Sequence, residues 1–457
     1  MINKKNIVSK KNFLAVSALA LALQATVLQA AVSADDASQL GASLTPIGAL
    51  KAGNAEGTIP AWSGQPDEFS GDRYQNPYAD EQVLFTITAA NAEQYSGKLT
   101  DGQMALLKKY PDSYKINVYP THRTGAFPQH VYDVAKKNAT QTTVVENGNG
   151  LLNFEETIPF PIPKTGVEAI WNHITRYRGG SLERTLVQVP VHRNGSYTPV
   201  RFKERLVWPQ YLEDGFDVKK DDNILNYFTQ QVLAPTRLTG NVLLIHETLD
   251  QVKQPRKAWQ YNAGQRRVRR APQVAYDAPG TAADGLRTAD NLDMYNGAPN
   301  RYDWKLVGKQ ELYIPYNSFK LASRDLQYSD ILKPGHLNPD LLRYELHRVW
   351  VVEATLKEGE RHIYAKRRFY IDEDSWQASV VDHYDARGEL WRVGEAHAFQ
   401  YRDAKVPWHV GEVLHDLLSG RYLAGSLTNE EAEGFNFGVS LSRKEFTTSA
   451  IRRSGKR

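Results

Sequence analysis

The second half of the chain alternates between polar and apolar positions with a period of two, which is typical of β-strands. The alternation is clearest over residues 343–356. One face of this predicted strand carries Tyr344, Leu346, Arg348, Trp350 and Val352. The same period predicts strands at 182–190, 197–207, 241–249, 257–262, 302–314, 361–371, 376–384 and 389–401. Turn-forming residues at 372–375 and 385–388 leave connections so short that the strands they join must pair antiparallel.

Residues 86–178 carry helix signals instead. Thr100 with Gln103, and Thr165 with Glu168, have the spacing of capping boxes, and Pro128 suits a first helical turn. Apolar residues three and four positions apart follow each of these starts, so each start predicts a helix.

The same spacing predicts two helices inside the β-rich half, at 222–233 and at 408–418, the second closed by Gly420. The pattern as a whole predicts an α+β fold. Its antiparallel β domain spans 182–425, and the mainly helical segment 86–178 packs on the sheet.

Three further segments lack a regular period. Residues 35–85 are predicted to form an extended N-terminal arm, pinned to the body by Ile59 and Trp62. Residues 264–300 form a long aperiodic stretch, and such loops in compact domains are usually functional or disordered. We interpret this stretch as an ordered crossing or a lid over the sheet. Residues 426–457 are assigned to a C-terminal tail.

The first 34 residues have the three parts of a secretory signal. Four lysines precede the apolar run 13–28, and small residues follow up to Ala34. The alternative is a membrane anchor, which needs about 20 apolar residues, and this run is shorter. We therefore expect cleavage after Ala34 and a soluble periplasmic protein, since no later segment is long and apolar enough to span a bilayer.

Composition narrows the chemistry and the partners. The chain has no cysteine, which excludes disulfides, thiolate sites and lipid attachment at a mature N-terminal cysteine. The net charge of +4 comes from 56 Lys and Arg against 52 Asp and Glu, and the four extra cations all lie in the signal. The exported chain is thus neutral, whereas nucleic-acid-binding domains are usually basic. We predict no nucleic-acid partner.

Motifs for catalysis are absent from the sequence. It contains no Gly-x-Ser-x-Gly elbow, no Walker A loop and no His-Glu-x-x-His pair. His383 and His397 lie on neighbouring predicted strands and could approach, but they lack a carboxylate as third ligand, so we interpret them as half-buried histidines of the sheet. We predict no enzyme activity, no cofactor and no metal. Carboxylate pairs can come from distant parts of a chain, which keeps an envelope-polymer hydrolase as an alternative.

Two surfaces are candidates for binding. The face of residues 344–352, with Trp259 and Tyr261 nearby, is predicted to hold a hydrophobic ligand, and the alternative is an ordinary core. Within it, Arg348 either pairs with an internal carboxylate or awaits an anionic headgroup. The second candidate is a basic run, which would contact a headgroup or an acidic partner unless it is a solvated loop. Its members are Arg266, Arg267, Arg269 and Arg270.

Several segments resemble known periplasmic proteins. Residues 257–262 (KAWQYN), followed by the basic run, resemble the Trp-x-Tyr and basic segment of outer-membrane lipoprotein-sorting-like proteins. The hairpin 369–391, with its Asp-x-x-Gly turn, resembles a unit of the same group. The strings at 44–48 (LTPIG) and 53–62 (GNAEGTIPAW) are similar to the opening of a proteobacterial family of unknown function, domain of unknown function 1329. This likeness covers nearly all of the exported chain.

The resemblance implies a fold like that of the Lol lipoprotein carriers. That fold is a strongly curved antiparallel sheet, an incomplete β-barrel, with helices covering one side. It also implies two partners, an inner-membrane transporter of the resistance–nodulation–division type and an outer-membrane protein. This chain is longer than a simple carrier and lacks the lipid-modified cysteine of the outer-membrane receptor, so its cargo is predicted to be a lipid or another hydrophobic molecule. The alternatives are the hydrolase and a structural assembly factor without a ligand.

Overall fold

The computed structural model describes residues 31–64, 71–145, 148–271 and 274–455. The predicted signal peptide lies almost entirely outside these residues. The short β-strands of the first part are β1 (Phe85–Ile87), β2 (Ile116–Val118), β3 (Thr143–Val144) and β4 (Leu151–Leu152). The next group is β5 (Ser181–Val191), β6 (Val200–Val207), β7 (Ile224–Ala234), β8 (Val242–Thr248), β9 (Lys257–Asn262) and β10 (Arg267–Arg270). The last group is β11 (Tyr302–Pro315), β12 (Tyr344–Leu356), β13 (Lys366–Asp372), β14 (Ala378–Tyr384), β15 (Leu390–Tyr401), β16 (Val406–Asp416), β17 (Tyr422–Leu427) and β18 (Phe435–Phe437).

One large sheet dominates the described part of the chain. It has sixteen strands, of which fourteen join in the order β1-β2-β12-β13-β14-β15-β16-β17-β5-β6-β7-β8-β9-β10, while β11 pairs beside β12 and β18 beside β5. All of these pairings are antiparallel except a single parallel bridge between Val118 and Tyr344. The sheet does not close, and β10 is an edge strand. The predicted fold class, α+β with an unclosed antiparallel sheet, is confirmed.

The prediction of two helices inside the β-rich half is wrong. Residues 222–233 fall mostly in β7 and residues 408–418 mostly in β16, each paired with a neighbour on both sides. Every residue of β16 is buried, so both faces of the strand are packed and the period of two disappears from its sequence. Apolar residues then fall three and four apart by chance, although Pro407 and Gly411 are poor helix residues.

The helices are α1 (Ala34–Ser38), α2 (Asp101–Lys109), α3 (Gln129–Gln141), α4 (Gly166–Thr175), α5 (Val218–Asp221), α6 (Tyr328–Ile331) and α7 (Thr448–Ser454). Both predicted capping boxes are present, at the starts of α2 and α4. In the predicted helical segment 86–178, turns and short strands separate these helices. No helix among the residues described has the length and apolar character needed to cross a membrane.

Helices pack on both faces of the sheet. The helix α4 belongs to the apolar cluster of Phe369 and Ile371 on β13. On the opposite face, the amide of Gly102 in α2 donates to Asp382 Oδ1 of β14 over 3.1 Å. The side chain of Asp382 shares that face with Arg368, its cross-strand partner.

The N-terminal arm and the C-terminal segment both dock on the sheet. Ile59 is buried in the largest apolar cluster, as predicted, and Trp62 is half-buried. Trp376 is fully buried and donates from Nε1 to the carbonyl of Ile47 over 3.0 Å. Beyond residue 426, β18 pairs with β5 and α7 packs on β8, β9 and β10.

Candidate ligand cavity

A ladder of facing side chains on β5 to β8 forms one wall of the candidate site. Arg184 of β5 pairs with Glu204 of β6, and Glu204 pairs with Gln230 of β7. Two residues further along β6, Leu206 pairs with Phe228 of β7, which in turn pairs with Ile245 of β8. Since alternate side chains of a strand share a face, this wall changes from charged to apolar along the strands.

Two adjoining cavities lie against this wall. The open cavity is lined by both apolar and polar side chains. Its apolar lining is Leu206, Phe228, Ile245, Leu292 and Trp408. Its polar lining is Arg178, Arg184, Asn226, Glu247, Asp293 and Asn296. The polar cavity shares Arg184, Leu292, Asp293 and Trp408 with it. The additional polar groups of that cavity include Gln188, Glu204, Gln230, Arg287, His409 and Glu412.

The residues 274–300, here called the crossing segment, contribute to the lining of both cavities. Gln188 of β5 donates to the carbonyls of Thr281 and Ala282. The Met294 amide donates to Glu412 Oε1 of β16 over 3.1 Å. Further along, Asp290 accepts from Arg367 Nη2 of β13 over 2.7 Å. The segment is therefore fixed at three separate strands and crosses the sheet in an ordered way.

A buried ion-pair cluster lies at the junction of the two cavities. Asp293 Oδ1 is 2.6 Å from Arg176 Nη2, and its Oδ2 is 2.8 Å from Arg178 Nε. Trp408 Nε1 donates to the same carboxylate over 3.1 Å. Although burial alone would raise it, these cations hold the pKa of Asp293 well below its usual range. Burial lowers the pKa of Arg178 to about 9.

The predicted aromatic face lies elsewhere in the fold. Tyr344, Leu346 and Val352 are buried in the core, and the Tyr344 hydroxyl donates to Glu395 over 3.2 Å. Trp350 is half-buried and stacks at 10° to Trp376 with 6.3 Å between ring centroids. None of these residues lines the open or the polar cavity.

Arg348 has internal partners. Its Nη1 donates to Glu373 Oε1 over 3.3 Å and to the carbonyl of Ala52 over 3.0 Å. Glu311 lies 3.6 Å from its Nε. These contacts match the first of the two interpretations of Arg348, internal pairing, and they join the N-terminal arm to β12.

The other predicted binding residues face away from the cavities. Trp259 and Tyr261 belong to the apolar cluster that packs under Ile451 of α7. Their neighbour Ala258 belongs to the cluster of Phe228 and Ile245 instead, on the cavity side of the sheet. The side chains of Arg266, Arg267, Arg269 and Arg270 are exposed on the edge strand β10 and the turn before it.

The two histidines proposed to approach each other do not share a site. His383 hydrogen-bonds Asn291 over 3.1 Å and pairs in register with Arg392, whereas His397 pairs with Gly411. Burial lowers the pKa of His397 to about 3.

Among the residues that the structure describes, one group of three has metal-ligand spacing. It consists of His347, Asp372 and Asp374, whose ligand atoms lie within 4.8 Å of one another. Arg123 already binds both oxygens of Asp374, at 2.7 and 2.8 Å. Ser375 donates to Asp372 over 2.5 Å. The group is thus occupied by protein donors.

The sequence did not indicate the cavity, because many of the residues that line it lie on strands that were predicted only as parts of the sheet. A signal was present in β5 and β6, where charged residues (Arg184, Glu204) alternate with apolar ones on a face that the sequence predicted only as part of a strand. Arg287 and Asp293 lay in the segment already singled out as a crossing or a lid.

Comparison with known proteins places the chain in a family. Residues 86–452 match the family described as protein of unknown function (DUF1329), so this is a member of that family, as the resemblance of the N-terminal strings implied. The uncharacterized protein PA3922 of Pseudomonas aeruginosa is 61% identical, over 98% of this chain and 99% of its own length.

Two solved structures are similar to part of the fold. A putative outer membrane lipoprotein-sorting protein domain from Vibrio parahaemolyticus is 13% identical, with a TM-score of 0.42, over 61% of this chain and 94% of that one. The LolA superfamily protein NE2245 from Nitrosomonas europaea is 10% identical, with a TM-score of 0.38, over 63% and 99%.

Proposed function

We propose that this protein binds a lipid or another hydrophobic molecule in the open cavity and carries it through the periplasm. The observation that supports this is the composition of the cavity lining. Five large apolar side chains line the cavity together with polar groups, and small-molecule sites combine apolar surface with polar groups in this way. The predicted signal supports the periplasmic location.

The charged groups of the cavity favour binding over hydrolysis. A glycosidase requires a carboxylic acid that stays protonated until it reacts. Asp293 is instead held ionised by two arginines. The carboxyl groups whose pKa is raised to about 7 are Asp372, Asp382 and Glu395, and none of them lines either cavity.

Two further points of this proposal rest on the resemblance alone. An inner-membrane transporter of the resistance–nodulation–division type would deliver or receive the cargo, and an outer-membrane protein would be its next acceptor. The exposed arginines of the basic run, on β10 and the turn before it, are the surface that we propose for contact with an acidic partner.

Native mass spectrometry of protein purified from the periplasm tests the central claim. We expect a fraction of the molecules to carry an added mass that organic extraction removes and that lipid analysis identifies. Protein that carries no adduct and binds neither oleate nor oleyl alcohol in solution would contradict the proposal.

A further inference from the structure

The polar cavity contains a buried guanidinium without a direct ion-pair partner among the described residues. Arg287 is 7% exposed, lines this cavity, and its Nε has no hydrogen-bond partner. Within residues 31–64, 71–145, 148–271 and 274–455, no carboxylate lies within ion-pair distance of it. Burial lowers the pKa of Arg287, and the charges of Glu412 and Glu204 offset this only in part. An unpaired buried charge is costly, so its retention needs a reason.

Local structure holds Arg287 in this place. The Gly280 amide donates to the Arg287 carbonyl over 2.8 Å, closing a tight loop inside the crossing segment. A Cβ atom at Gly280 would lie 3.0 Å from Arg287 Nε, so only glycine leaves the side chain its present room. The guanidinium is positioned by its own loop.

A second incompletely bonded arginine lines the same cavity. Arg184 uses Nε and Nη2 on Glu204, at 2.7 and 2.6 Å, and its Nη1 has no partner although the residue is only 8% exposed. The ring of Trp408 lies 4.9 Å from this guanidinium. The Nδ1 atom of His409, in the same lining, also lacks a partner.

Each carboxylate of the polar cavity already accepts at least one hydrogen bond. Glu204 accepts from Arg184 and from Gln230, the latter over 2.7 Å. Glu412 accepts the Met294 amide and lies 3.9 Å from His409. Asp293 is held by Arg176 and Arg178. None of them is an ion-pair partner of Arg287, although the charges of Glu412 and Glu204 act favourably on its guanidinium from a greater distance.

From this arrangement we infer that the polar cavity is an anion subsite, in which Arg287 and Arg184 bind the carboxylate or phosphate head of an amphiphile. The chain of that amphiphile lies against Leu206, Phe228 and Ile245 in the adjoining open cavity. Guanidinium groups suit such heads because their planar donors match two oxygens at once. This inference rests on the proposed function and specifies its ligand as an anionic amphiphile.

Calorimetric titration with three probes tests it: oleate, oleyl alcohol with the same chain but no charge, and inorganic phosphate with no chain. Wild-type protein is expected to bind oleate at least about tenfold tighter than oleyl alcohol, since a hydrogen bond to a charged group is worth about one factor of ten or more. Arg287→Met should abolish this preference and leave the affinity for oleyl alcohol unchanged. Arg287→Lys should retain part of it. Arg237→Met, at an exposed arginine outside both cavities, is the matched control and should behave as wild type.

Thermal unfolding of the empty proteins separates a binding role from a structural one. Because Arg287 makes no direct ion pair, Arg287→Met should leave the Tm unchanged or raise it. A lowered Tm, or oleate binding that is equally tight in Arg287→Met and wild type, would overturn the anion subsite while leaving the proposed function in place. Phosphate binding as tight as oleate binding would show that the cavity is a site for free anions, and it would overturn the inference that the ligand is an amphiphile. Failure of wild type to bind either chain would overturn both proposals.

Discussion

Arg184 and Glu204 face each other across the ladder between β5 and β6, and Arg184 Nε donates to Glu204 Oε2 over 2.7 Å. Both side chains are almost completely buried. On the opposite face of the same two strands, Glu183 bridges Lys203 and Arg205 at a partly exposed position. The two faces of one strand pair thus offer a buried and a partly exposed ion pair for comparison.

Glu204→Gln is expected to destabilise the protein by about 3 kcal/mol, because removing one partner leaves the other charge buried and uncompensated. Glu183→Gln, the matched control, should cost less than about 1 kcal/mol, since exposed ion pairs are weak. Urea unfolding of both variants measures the difference. Equal losses would mean that Arg184 finds another partner when Glu204 is neutral.

A second prediction concerns the pH dependence of stability. Burial, and after it the charge of Asp101, raise the pKa of Asp382 to about 7, whereas an unfolded aspartate titrates near 4. The folded state therefore keeps a proton that the unfolded state has lost. The stabilisation from protonated Asp382 is complete below about pH 4 and decreases by about 1.4 kcal/mol per pH unit up to about pH 7.

The test compares wild type with Asp382→Asn, whose amide does not titrate and retains hydrogen-bonding groups for Gly102 and Tyr370. Buried histidines such as His173, whose pKa is lowered to about 3, act in the opposite direction, so the difference between the two proteins is the informative quantity. Wild type should lose stability relative to the variant between pH 5 and pH 7. Asp385→Asn, in an exposed turn, should give a constant difference; the same constant difference in Asp382→Asn would refute the raised pKa.

The anchoring of the crossing segment gives a third prediction. Asp290 accepts from Arg367 over 2.7 Å and from Thr288 over 2.7 Å inside the core. Asp290→Asn leaves the fully buried Arg367 without its carboxylate, so hydrogen exchange should accelerate across residues 283–296. The control is Asp284→Asn, which removes an exposed ion pair with Arg421 in the same segment. Exchange that stays as slow in Asp290→Asn as in the control would show that other contacts hold the segment.

The alternation of polar and apolar residues identified β12 within one residue of its start, because register fixes alternate side chains to one face. It did so although Glu345, His347 and Arg348 are buried. In β16 the same reasoning failed, since His409, Glu412 and His415 are buried among apolar neighbours. Buried polar residues that hydrogen-bond to partners distant in sequence interrupt the alternation of polar and apolar positions by which a strand is predicted.

The candidate cavity was less accessible to sequence reasoning because its components meet only through topology. Arg184 and Arg287 are 103 positions apart and become neighbours when the crossing segment returns over β5. A lone arginine in an apolar strand was recognised as informative at Arg348, where the fold supplies Glu373. The same criterion applied to the crossing segment would have selected Arg287. The local sequence does not reveal whether the fold places a carboxylate beside it.

The last prediction separates the open cavity from the predicted aromatic face as the binding surface. Phe228 lines the open cavity, whereas Trp350 lies in the predicted face, stacked on Trp376 with Lys309 Nζ 4.5 Å from its ring. Phe228→Ala should weaken binding of oleate and oleyl alcohol alike by about tenfold, because a buried phenyl ring contributes about 1.5–3 kcal/mol of apolar contact. Trp350→Ala should lower the Tm and leave both affinities unchanged. Calorimetric titration of the two variants provides the measurement. The reverse result, with affinity lost in Trp350→Ala and retained in Phe228→Ala, would place the ligand on the face of Tyr344 and Val352 and would reject the open cavity.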